Sequence, residues 1–177
     1  MDKSKKTIRW ITRTAIFIAL LVVVQAATAG LGNQFVTGSA VNLILIVSAI
    51  TCGLGSGATV AIVSPVLAKL FGIGPLWQII PMIMLGNLAL VLVWRLLGSR
   101  GDKKIWYPVA LVAAAGAKFL VLWLGVTKWI VPIVLGLPAK KAAIVSAAFS
   151  WPQIVTAVIG GVLAILVLPL VKKAVKD

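Results

Sequence analysis

Six apolar stretches, most about as long as a bilayer is thick, fill almost the entire chain, and glycine, proline or lysine clusters separate them. A membrane helix needs roughly 20 apolar residues to cross about 30 Å of hydrocarbon. With 62% of 177 residues hydrophobic and 11% charged, the apolar excess is more than one small soluble core can hide. The pattern predicts an all-α integral membrane protein, formed as a single membrane domain over residues 1–177.

The ionisable residues narrow the chemistry. There are 17 Lys and Arg, no Glu, no His, and only three acids, Asp2, Asp102 and Asp177. All three acids fall at chain ends or in a charged loop. Paired-carboxylate catalysis, a His-based triad and an Asp/Glu/His proton relay have no residues to work with. No metal site is expected from a chain with one Cys and no His, and Cys52 reads as a small packing residue. No Walker-type phosphate loop is present, so any uphill movement needs energy from another subunit or an ion gradient. The chain is expected to be neither an enzyme nor dependent on a cofactor. Its net charge of +14 borders the apolar runs, which reads as membrane topology and not as a nucleic-acid surface.

The first span is expected over Trp10–Ala29, behind Lys3, Lys5, Lys6 and Arg9 and with Arg13 one turn in; it is too long for a typical cleaved signal. Gly30–Ser39 reads as a polar loop. Two short helices, 40–53 and 57–71, follow, joined by the Gly53-Leu-Gly-Ser-Gly57 turn. Short, glycine-broken helices are tolerated where protein covers them or a cavity lies beside them. After the Gly72-Ile-Gly-Pro75 turn come spans over 77–97 and 105–126, with a charged loop between. Residues 128–141 read as an outer connection with a short interfacial or re-entrant piece, and 142–171 as the last helix, interrupted near Trp151-Pro152.

Six helices put both ends on one side. That side collects twelve basic residues, from the N-terminus, Arg95 with the following loop, and the C-terminus; the other side collects four, Lys69, Lys128, Lys140 and Lys141. The imbalance predicts N-in, C-in. Trp10, Trp94 and Trp106 fall at the inner interface, and Trp77 and Trp129 at the outer.

At about 1.5 Å per residue, every Asn and Gln lies at mid-membrane or outside it. Gln25 is in the outer half of the first helix, Asn33 and Gln34 in the first outer loop, and Asn42, Gln78 and Gln153 at outer helix starts. Asn87 is near the middle of the fourth helix, and Lys118 near the middle of the fifth. An unpaired amide in lipid costs a few kcal/mol. The asymmetry therefore predicts a cavity open to the outside, with amide-to-amide packing between helices as the alternative. A charged lysine at the bilayer centre costs at least about 2.5 kcal/mol. Lys118 must snorkel, be neutral, or find its anion on a bound carboxylate or phosphate; the last is preferred. Lys128, Lys140 and Lys141 would draw an anion inward, and Trp77, Trp123 and Trp151 would supply flat apolar walls.

Several of these features together resemble the substrate-binding S-component of an energy-coupling factor (ECF) vitamin transporter. They are the chain's size, its six helices, and the basic N-terminus followed by Arg13 and Ala15-Ile-Phe-Ile-Ala19. The others are the Val41-Asn42-Leu43 run into short helices and Gly72-Ile-Gly-Pro75 before the fourth helix. The resemblance implies a multi-pass protein of a bacterial cytoplasmic membrane. It would bind a vitamin-type small molecule in the outer half, under the first, third and fifth loops. It would work with a transmembrane coupling subunit, which Ala15 and Ala19 would contact, and with two ATPase subunits. A pantothenate-like anion or a corrinoid suits the polar set best, and cationic thiamine suits it poorly. Two other readings remain open: a self-associating, holin-like pore former, and a Ser/Lys hydrolase, for which the spacing supplies no serine beside Lys118.

Overall fold

The computed structural model describes residues 3–176. Asp2 and Asp177 lie outside the described residues, as do the side chains of Lys104 and Lys176. The described chain is helical throughout, with no strand. Its helices are α1 (Lys3–Ala29), α2 (Gln34–Cys52), α3 (Leu54–Leu70), α4 (Ile80–Gly98, after a 3₁₀ turn at Trp77–Ile79), α5 (Lys103–Leu122), α6 (Ala139–Ala148) and α7 (Pro152–Lys176). Residues Trp123–Leu135 continue α5 as a π-helix. Five helical stretches are long and apolar enough to cross a membrane, and the shorter apolar helix is α3.

Several boundaries differ from the sequence expectation: α1 starts at Lys3 and not at Trp10, and α3 at Leu54 and not at residue 57. α2 begins at Gln34, six residues before the expected start, because Asn33 caps it: the Asn33 side chain accepts a hydrogen bond from the Phe35 N–H at 2.9 Å. The polar look of Asn33-Gln34 therefore marks a cap and a first turn, not a long loop. The stretch expected as a separate outer piece is instead the end of the fifth helix. The run stays helical because Val126, Ile130 and Val131 bury against Ile79 and Leu122. Gly136, at φ 52°, stops it in the left-handed conformation. α6 and α7 are distinct helices, and Pro152, which lacks an N–H, opens the second of them.

The α2–α3 connection is a single residue. Gly53 turns the chain at φ 91°, a conformation that side chains with a Cβ rarely adopt. Trp10 of α1 packs beside Gly55, so the inner end of α1 abuts this turn. Thr14 donates to Ser56 Oγ at 2.8 Å and pins α1 to α3 in the same half.

One core cluster joins α1, α2, α3, α4, α5 and α7, with Leu45, Ile46, Val60, Leu90, Trp94 and Ala164 fully buried. Backbones approach most closely where α7 crosses α2. A Cβ on Gly160 would lie 2.5 Å from the Ser39 carbonyl oxygen and 2.6 Å from Asn42 Cβ. That crossing fixes Asn42 in depth and rotation.

Candidate functional site

Lys118, in the middle of α5, is only 4% exposed. Its ammonium donates to Asn42 Oδ1 on α2 at 2.6 Å and to Asn87 Oδ1 on α4 at 2.8 Å. An ammonium can only donate, so both asparagines must turn their carbonyl oxygens toward it. The Asn42 amide nitrogen then faces Thr156 of α7, donating to its hydroxyl at 3.4 Å, and Thr156 donates to the Gln153 carbonyl at 3.2 Å. Four helices thus meet at one cation. Of the three possibilities raised for Lys118, snorkelling is not what the structure shows.

Hydrogen bonds to two neutral amides occupy two donors of the Lys118 amino group, and no acid among the described residues lines the cavity beside it. Lys118 and Asn87 also line a cavity of about 400 Å³. Leu21, Val41, Ile83 and Leu122 contribute apolar wall. Above them, the cavity is bordered by Gly32 and Asn33 of the α1–α2 connection, by Gly74 and Pro75 of the α3–α4 connection, and by Phe149 between α6 and α7. Those are the first, third and last outer connections. At the α1–α2 edge, Thr37 donates to Thr28 at 2.8 Å and ties the two helices together.

Two further polar atoms face the same space. Gln25 Oε1 on α1 and Ser64 Oγ on α3 are buried, line the cavity, and have no hydrogen-bond partner among the described residues. A buried polar atom left unpaired costs about 1–3 kcal/mol, so both would gain from a hydrogen-bonding group within the cavity. Pro65, beside Ser64, cannot donate to the Ala61 carbonyl, which loosens α3 at the same level.

The expected site residues divide. Asn87, Lys118, Gln34 and Gln153 line the cavity. Gln34 is exposed, and Gln153 is held by its own donation to the Ala148 carbonyl at 2.9 Å. Asn42 is fully buried behind Lys118 and acts through it. The remaining four do not line the cavity. Trp77 and Gln78 are exposed at the start of α4, and Trp151 is exposed and packs on Phe35. Trp123 stacks on Phe119, with the Lys128 ammonium 4.8 Å from its ring centre. Trp77 and Trp151 are exposed and Trp123 is half-buried, and none faces the cavity; Trp94, expected at the inner interface, is instead fully buried in the core. Sequence reasoning noted the depth of Gln25 without placing it in the site, and Ser64 carries no signal that separates it from other helix serines.

Ala15 and Ala19 are exposed on α1. They lie in an almost wholly apolar groove of about 410 Å³ completed by Ile18, Val22, Val23, Leu67 and Phe71.

The family model for the ECF transporter, substrate-specific component, matches residues 9–172. No curated relative and no solved structure matches the chain.

Proposed function

The chain belongs to the substrate-specific components of ECF transporters, and on that premise we propose that it captures a compact organic anion in the cavity above Lys118 and delivers it to energy-coupling partners. The observation that carries this reading is the buried ammonium, hydrogen-bonded to Asn42 and Asn87 and still short of a counter-charge at a cavity wall. A carboxylate or phosphate on the solute supplies that charge. Gln25 Oε1 accepts from a hydroxyl or amide N–H of the same solute, and Ser64 Oγ pairs with either kind of group. A volume of about 400 Å³ lies at the small end of the ~300–1,000 Å³ typical of small-molecule sites. That size favours a pantothenate-like hydroxy-amide acid over a corrinoid macrocycle. Exposed Lys140 and Lys141 on α6 add a positive field that steers anions toward the mouth.

The reading places the protein in a bacterial cytoplasmic membrane with both termini in the cytoplasm, as the charge imbalance favours. Its partners are a transmembrane coupling subunit and two ATPase subunits, with no chemical conversion of the solute. Native mass spectrometry of protein purified from cells grown in rich medium is the test. A bound small anion that dissociates on acidification, with no nucleotide present, is the expected result; ligand-free protein under every growth condition would overturn it.

The apolar groove at Ala15 and Ala19 is where we place the coupling subunit, since alanine lets a neighbouring helix come close. Replacing both by Leu is expected to leave ligand affinity within about twofold while uptake into cells falls at least several-fold. Equal loss of binding and uptake would remove the groove from the coupling path.

A further inference from the structure

The two asparagines that receive Lys118 are not equivalent. The Asn87 side chain bonds Lys118 alone among the described residues. Asn42 is held from behind as well: its amide nitrogen donates to the Thr156 hydroxyl at 3.4 Å, while its carbonyl accepts from Lys118 at 2.6 Å. Thr156 is 3% exposed and does not line the cavity. Its own hydrogen goes to the Gln153 carbonyl, three residues back, at 3.2 Å. Such a local bond is open to a threonine inside a helix. A hydroxyl whose single hydrogen is committed offers Asn42 only lone pairs. The amide must therefore present its nitrogen to Thr156 and its oxygen to Lys118.

The α2–α7 crossing keeps this arrangement in register. Gly38 and Asn42 stand four apart on α2, and Thr156 and Gly160 four apart on α7, so each pair shares one helix face. Each polar side chain sits over the glycine of the opposite helix. A Cβ on Gly38 would lie 2.8 Å from Thr156 Cγ2, and a Cβ on Gly160 would lie 2.6 Å from Asn42 Cβ. The branched Thr156 side chain is stiff about its first torsion. Seating its methyl group against Gly38 therefore also fixes the direction of its hydroxyl.

We propose that Thr156 is a positioning residue for solute capture: it sets the direction of Asn42, and through Asn42 it holds the Lys118 amino group at the cavity wall. The inference rests on the anion reading of the cavity. With Asn42 reversed, its nitrogen would meet the Lys118 donors, and the amino group would lose one of its two acceptors. Thr156 touches neither Lys118 nor the cavity, so its effect on the solute passes through the asparagine.

Two variants separate positioning from packing. Thr156→Val keeps the shape against Gly38 and removes the hydroxyl; Thr156→Ser keeps the hydroxyl and removes the methyl group. The first readout is nuclear magnetic resonance of the ligand-free full chain in neutral detergent, isotope-labelled at the lysine side-chain nitrogens. The Lys118 signal is the one lost in Lys118→Gln. Thr156→Val is expected to displace or broaden it, and Thr156→Ser to leave it in place; a packing role gives the opposite order. The second readout is binding of pantothenate against panthenol, which carries an alcohol in place of the carboxylate. The wild type is expected to prefer the acid by about 10-fold or more. Thr156→Val should bring that ratio toward one, and Thr156→Ser should keep it. An unmoved Lys118 signal in Thr156→Val, or a signal disturbed as much by Thr156→Ser, overturns the inference. A wild type that binds both compounds alike sinks the anion reading instead, and the ligand-free spectra still decide the role of Thr156.

Discussion

Lys118→Gln is expected to weaken binding of the anionic solute by an order of magnitude or more while leaving a folded protein. Glutamine keeps a donor for the Asn42 and Asn87 carbonyls, which now accept from the ammonium at 2.6 and 2.8 Å, and it removes the charge. A hydrogen bond to a charged group contributes about 1.5–3 kcal/mol, so affinity is expected to fall roughly 10- to 150-fold. Lys118→Met is the harsher change, since it also strands two buried amide oxygens. It should lower the melting temperature in detergent as well as the affinity. Isothermal titration with the ligand identified by mass separates the two effects. If Lys118→Gln binds as tightly as the wild type, the ammonium is a packing device and the solute lies elsewhere.

Gly160→Val is expected to give a chain that does not assemble, and Gly160→Ala one that is less stable by about 1–3 kcal/mol. The reason is what a new Cβ would meet: the Ser39 carbonyl oxygen at 2.5 Å, Asn42 Cβ at 2.6 Å and the Leu43 nitrogen at 3.0 Å. Two of those are backbone atoms of α2, so no side-chain rotation relieves the clash. α7 must instead move away from α2. Because Asn42 orients Lys118, ligand affinity should fall along with stability in the alanine variant. Gly116→Ala is the control, since nothing lies within 4 Å of a Cβ there. It should be neutral or slightly stabilising, given the cost of glycine in a helix. Thermal unfolding of the two purified alanine variants beside the wild type in one detergent decides the matter; equal melting temperatures for Gly160→Ala and Gly116→Ala would contradict the packing argument.

Height along the helices was partly legible in this sequence and rotation was not. Counting residues from the ends of the apolar runs put Asn87 and Lys118 at one level, and the structure joins them at 2.8 Å; it put Trp94 at an interface, and the structure buries that ring fully in the core. In an otherwise uniformly apolar helix, a lone polar residue says how deep it lies but not which way it faces. That is why Asn87 and Lys118 turn up at the cavity while Trp77, Trp123 and Trp151 point away from it. Helix ends were legible at the first glycine of each cluster, Gly53 and Gly72, though only Gly53 and not the whole 53–57 run makes the turn into α3. The end of the fifth helix was misread: the stretch from Lys128, expected as an outer connection, stays helical to Leu135 because Val126, Ile130 and Val131 are packed. Gln25 and Ser64 became part of the site only once α1 and α3 were seen to face the same space, which is a tertiary property.

The one-residue link at Gly53 bears on how the chain reaches its place. α2 and α3 span Gln34–Cys52 and Leu54–Leu70 with nothing hydrophilic between them. No polar segment is available to be retained on the cytoplasmic face after α2 while α3 is still being synthesised. The two helices are therefore expected to partition into lipid together, as a hairpin. The biogenesis of this protein then has one fewer independent insertion event than its helix count suggests.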